Sequence, residues 1–123
     1  MIARGSASQE DYLEVIYDLS HGSESVRSID IANLLGVSRA SVNKRLSLLK
    51  DSGFVEHEPY GLVRLTESGC AVAKNVRERH NTLYKFLTDI LGVPEETADR
   101  EACEMEHAIS QDTSDKLYAY LRK

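Results

Sequence analysis

The string Cys103-Glu104-Met105-Glu106-His107 spaces a thiol, a carboxylate and an imidazole at i, i+3 and i+4, so a helix here brings Cys103, Glu106 and His107 onto one face. Those donor types suit a borderline divalent transition metal better than calcium or magnesium, which favour oxygen alone. One each of Cys, Glu and His on a helix also arises without a metal, so the string needs a companion. His80 offers one: it falls between Val76 and Leu83 at spacings of four and three, on the inward stripe of a long helical segment, where an imidazole needs a partner. Standing alone, such a histidine reads as a core residue satisfied by a carbonyl or a carboxylate. Asp11 and Glu14, continuing to Asp18, share one side of an N-terminal helix. By themselves they read as a solvated acidic stripe in which Asp11 closes a capping box with Ser8. His21 and His57 read as surface residues, and Cys70 as a small core residue near a helix start.

A second chemistry resides in charge. The chain has 123 residues with 15 Lys and Arg against 20 Asp and Glu, a formal charge of −5, which is the wrong sign for a protein that coats nucleic acid indiscriminately. Between Ser38 and Lys50, however, Arg39, Lys44, Arg45 and Lys50 occur with no acidic residue. The N-terminal residues of a helix laid in the major groove lie nearest the base edges, and here these are Ser38, Arg39, Ala40, Ser41, Asn43 and Lys44. Lys44, Arg45 and the helix N-terminus are placed to hold phosphates, and Tyr60 and Arg64 in the following hairpin to touch the DNA backbone. The bland alternative is a basic, solvated helix in a tri-helical core that serves protein contacts; the hairpin directly after it favours DNA.

These residues need elements to position them. Leu13, Ile16 and Tyr17 recur at helical spacing after the cap candidate Ser8, and the loop HGSESVR follows. Ser28 is expected to cap a second helix, with Ile31, Ala32 and Leu35 inward and Gly36 as its stop. Ser38 is expected to cap a third, with Val42, Leu46 and Leu49 inward and Gly53 as its end. Two β-favouring runs, FVEHE and LVRLT, flank Pro59, Tyr60 and Gly61 and form a hairpin. One long helix is expected from about Glu67 to Leu91, with Val72, Val76, Leu83, Leu87 and Ile90 as an apolar stripe, then a helix from Glu95 to about Ile109 and a short last one carrying Leu117 and Leu121.

The expected fold is mainly α: an N-terminal winged helix-turn-helix DNA-binding domain with a two-stranded wing over residues 1–72, and a C-terminal helical dimerisation and metal-binding domain over 73–123. Stripes too extensive for lone helices call for a homodimer. No apolar run approaches the ~20 residues that cross a bilayer, and the N-terminus lacks a signal-peptide core, so no membrane partner and a cytoplasmic location are expected. Two cysteines without an export signal argue against a disulfide framework.

In chain order, SQEDYLEVIY, IANLLGVSRASVNKRLSLLKDSG, EHEPYGLVRLTESG, RHNTLYKFL and EACEMEHAIS resemble the diphtheria toxin repressor and manganese transport regulator family of metal-dependent repressors. The resemblance implies that metal joins helix one to the dimerisation helices and that the loaded dimer binds palindromic operators of metal-uptake genes. It implies Asp11, Glu14, His80, Cys103, Glu106 and His107 as ligands, with Ser38, Ala40 and Lys44 where the recognition helix meets bases. Asp11 and Glu14 resemble the manganese-sensing branch, in which Cys103 would be a glutamate; Cys103 resembles the iron-sensing branch, in which Asp11 would be a methionine. The implied corepressor is therefore Mn²⁺ or Fe²⁺, with Co²⁺, Zn²⁺ or Ni²⁺ binding in vitro. Tyr84 and Asp99 replace residues of the iron branch's ancillary site, so that site is not expected in its usual form. Without a separate base or substrate pocket, no catalytic residue and no enzymatic activity are expected. The competing reading is a metal-independent winged-helix regulator that responds to oxidation of Cys103 or to a small apolar ligand.

Overall fold

The computed structural model describes residues 8–21, 24–58 and 61–123. It contains two compact units, Ile2–Lys74 and Asn75–Lys123.

In the first unit, α1 spans Gln9–Ser20 and opens with a complete capping box: Ser8 Oγ accepts from the Asp11 N–H at 3.1 Å, and the Asp11 carboxylate accepts from the Ser8 N–H at 2.9 Å. A short strand, β1 (Val26–Arg27), precedes α2 (Ser28–Leu35). Gly36 ends α2 at φ 70°, the left-handed turn that leads to α3 (Arg39–Asp51). The hairpin consists of β2 (Val55–His57) and β3 (Leu62–Leu65), in register Val55 to Leu65 and His57 to Val63. On the other edge of β3, β1 adds a third antiparallel strand, Val26 opposite Val63. Leu13, Ile16, Ile31, Val42, Leu46, Leu49 and Val63 are wholly or almost wholly buried in one cluster, each contributing roughly 1.5–3 kcal/mol of apolar burial.

Helix α4 (Glu67–Lys85) carries the chain into the second unit and runs directly into a π-helical turn, Phe86–Ile90. Helices α5 (Glu95–Met105) and α6 (Gln111–Leu121) complete that unit. Its core is Leu83, Leu87, Ala98 and Ala102, edged by Tyr84, Phe86, Val93, Met105, Ile109 and Leu117.

Four local expectations need correction. Ser28 is the first residue of α2 and not its cap: strand pairing draws Arg27 into the extended N-cap position, and the Ser28 N–H donates to the Gly61 carbonyl at 3.0 Å. The last turn of the long helix is π, where the Leu91 N–H reaches the Phe86 carbonyl and Thr88 Oγ1 donates back to the Tyr84 carbonyl at 3.0 Å. Ile90, placed on the inward stripe by α-helical spacing, is 48% exposed, because the wider turn rotates it off that face. Helix α5 stops at Met105, so Glu106 is its C-cap and His107 lies in the turn beyond.

Candidate metal centre and DNA-facing helix

Helix α4 supplies His80, and the end of α5 supplies Cys103 and Glu106. One donor atom from each lies within 4.8 Å of the other two. His80 Nδ1 is 2.9 Å from Glu106 Oε1, and Nε2 is 3.0 Å from Asp99 Oδ1. Glu106 is completely buried, His80 is buried and Cys103 is half-buried. His107 adds its imidazole, Nε2 at 3.4 Å from Glu106 Oε2. Arg79 donates from Nε to the Glu106 carbonyl at 2.9 Å, which satisfies a helix-terminal acceptor and fastens the end of α5 to α4.

Hydrogen bonding to Cys103 and then to Glu106 raises the His80 pKa from 6.5 to about 10 against the opposing cost of burial; the Glu106 charge and the Asp99 hydrogen bond add to the rise. Without a cation the ring is therefore an imidazolium that donates to both carboxylates. Within this cluster the buried Glu106 Oε2 makes no hydrogen bond, since His107 stands off at ion-pair distance. A buried carboxylate oxygen in that condition is costly, and a sulfur, a nitrogen and an oxygen around it fit a divalent transition cation.

Asp11 and Glu14 lie one turn apart on α1 in the other unit, and both are buried. The Asp11 carboxylate closes the helix cap.

On α3, Ser38 is the N-cap: its Oγ accepts from the Ser41 N–H at 3.0 Å and donates to Ser41 Oγ at 3.0 Å. Arg39, Ala40, Ser41, Asn43 and Lys44 are exposed, as is Arg64 on β3. Arg45 is half-buried and places its guanidinium 5.9 Å from the centroid of the Tyr12 ring on α1, so it also secures the recognition helix from behind. Burial raises the Tyr12 pKa, with Arg45 opposing. Tyr60 lies outside the described residues. A polar cleft of about 630 Å³ lies between Arg39, Asn43 and Lys50 of α3 and His57 and Glu58 of the wing, so His57, read from the sequence as an ordinary surface residue, borders the basic side of α3. The sequence did not show that Asp99 reaches His80 or that Arg79 reaches the Glu106 carbonyl, since both contacts are made between helices.

Residues 6–63 match the N-terminal DNA-binding domain of the iron-dependent repressors, and residues 66–123 match their metal-binding and dimerisation domain. The chain belongs to the iron-dependent repressor family. This repressor chain is 36% identical over 119 residues to an HTH-type transcriptional regulator of Methanocaldococcus jannaschii, covering 96% of this chain and 95% of that one. It is 40% identical over 114 residues to the transcriptional regulator MntR of Salmonella typhimurium, covering 93% and 72% respectively. A manganese-dependent transcriptional repressor solved in complex with manganese superposes with a TM-score of 0.83 at 32% identity, over 93% of this chain and 52% of that one. The repressor chain thus spans about half the length of that solved structure. Its winged helix-turn-helix and helical dimerisation domain are those of metal-dependent transcriptional regulators. Among the described residues no helix is long and apolar enough to cross a membrane.

Proposed function

We propose that this chain represses metal-uptake genes as a homodimer on palindromic operators, with Mn²⁺ or Fe²⁺ as corepressor and Asp11, Glu14, His80, Cys103, Glu106 and His107 as the ligand set. The observation that carries the reading is the buried carboxylate of Glu106, one oxygen on His80 and the other without a hydrogen bond, beside the Cys103 sulfur. When bound, a divalent cation supplies the positive charge that offsets these acidic groups and the sulfur.

Each side chain then has a task. His80 would serve as a neutral ligand through Nδ1, its proton there released. Glu106 would hold the cation with its buried carboxylate, and Arg79 keeps its backbone in place. Asp11 and Glu14 add hard oxygen donors from α1, the helix on which Tyr12 stacks with Arg45 of the recognition helix. Ser38, Arg39, Ala40, Ser41 and Asn43 read base edges, while Lys44, Arg45, Tyr60 and Arg64 hold phosphates. Exposed Ile90, Leu91, Tyr118 and Tyr120 are apolar surface that a second copy would cover. The two recognition helices of the dimer then meet half-sites about one DNA turn, roughly 34 Å, apart.

The deciding experiment is operator binding by the full chain in chelator and in added Mn²⁺ or Fe²⁺ under anaerobic conditions. Metal-dependent tightening is expected; equal affinity in both rejects the mechanism.

A further inference from the structure

We propose that Asp99 is a positioning residue for the metal ligand His80: it holds the ring's Nε2–H and thereby commits Nδ1 to the cation. The inference rests on the metal-centre reading above. A neutral imidazole has one nitrogen for a metal and one that keeps its hydrogen, and the partner of the second nitrogen decides which is which. In this chain the two sides of the ring differ sharply. Nδ1 points at Glu106, which is fully buried and has an oxygen to spare, whereas Nε2 ends on Asp99, whose side chain is 48% exposed. The inner carboxylate is suited to a cation, and the outer one stays solvated while it accepts a hydrogen bond.

Two further contacts support the arrangement. Asp99 precedes Cys103 by one turn on α5, so one helix sets both the soft ligand and the group that orients the ring. The Tyr84 ring lies nearly parallel to His80, with centroids 6.5 Å apart and planes 12° from parallel, an offset-stacked neighbour on one face of the imidazole. The rival arrangement, in which Asp99 and Nε2 together ligate an ion, would strip the hydrogen from Nε2. A single measurement separates the two.

The test uses the full chain with ¹⁵N-labelled histidine, loaded with Zn²⁺ alone, and reads the long-range ¹H–¹⁵N spectrum of His80, assigned with His80→Gln. The expected result is zinc on Nδ1 and hydrogen on Nε2. Asp99→Ala should weaken zinc binding by about 10–100-fold and mix the ring tautomers. Asp99→Asn, which loses the charge but keeps an oxygen acceptor, should stay within a few-fold of the parent with the parental spectrum. Melting of the metal-free variants checks folding, because a merely structural role would lower the melting temperature and leave the ring pattern unchanged. Zinc on Nε2, or an Asp99→Ala variant with parental affinity and spectrum, overturns the role of Asp99 while leaving the metal centre intact. Absence of any zinc effect on His80 overturns both.

Discussion

The Glu106 carboxylate stands 2.9 Å from His80 Nδ1 with no part of it open to solvent, so the most deeply buried acid of the second unit is paired with an imidazolium. Glu106→Gln keeps the volume and removes the charge. Metal affinity by titration calorimetry should fall by more than the ~10–100-fold typical of outer partners, while the metal-free fold persists, since the amide still fills the site. Parental affinity in this variant would remove Glu106 from the ligand set.

The pH dependence follows from the same pair. His80 has a folded-state pKa of about 10 against 6.5 for the free residue, so its contribution to stability is fully present below pH 6.5 and is lost as pH rises through 10. In chelator, the denaturant midpoint should decline over that window, and His80→Gln should flatten the decline. Metal affinity should run the other way, increasing as the Nδ1 proton becomes easier to displace. A midpoint that falls equally in parent and variant would show that other groups govern the alkaline limb.

Ser38 caps α3, and the proposed function also places it against DNA; one substitution separates the two. Ser38→Asp preserves an N-cap acceptor for the Ser41 N–H, so the urea midpoint should change little. On the proposed DNA face its negative charge would meet the phosphate backbone, and operator binding by fluorescence anisotropy should weaken strongly. Ser38→Ala should do the reverse in stability, costing about 1 kcal/mol through the lost cap. Undiminished binding by Ser38→Asp would move the DNA face elsewhere.

Gly69, in the first turn of α4, is pressed against the Phe54 carbonyl. That carbonyl cannot retreat: it accepts from the Thr66 N–H at 3.0 Å, and the Phe54 N–H donates to Leu49 at 2.9 Å. Alanine usually stabilises a helix relative to glycine by ~0.5–1 kcal/mol. Here Gly69→Ala should instead destabilise by about 1–3 kcal/mol of overpacking, read as a lower urea midpoint. A stabilised variant would mean that the joint between β2 and α4 is looser than described.

Much of this was legible in the residues. The Ser8–Asp11 capping box, the left-handed Gly36 and the Ser38 cap are local devices whose chemistry lies within a few positions, and the structure has each of them. What escaped was non-local or fine-grained. A two-residue strand such as Val26–Arg27 is too short to show alternation, and it exists because β3 offers an open edge. The π turn at Phe86–Ile90 has no periodic signature that an α pattern would not also satisfy. The i, i+3, i+4 reading of Cys103, Glu106 and His107 kept the helix running past Met105, where the structure ends α5. Asp99 was legible only as a departure from a familiar ligand position; its contact with His80 comes from the packing of α5 on α4.

Glu106 still donates its N–H to the Ala102 carbonyl at 2.9 Å while Arg79 grips the carbonyl of Glu106, and His107 follows in the turn beyond α5. In the proposed centre, His107 is carried on that turn and would shift without unwinding a helix, so cations of unequal radius would be accommodated at little cost. On that reading, discrimination among them would pass to the softness of the sulfur at Cys103 and to whichever ion the surroundings leave unchelated.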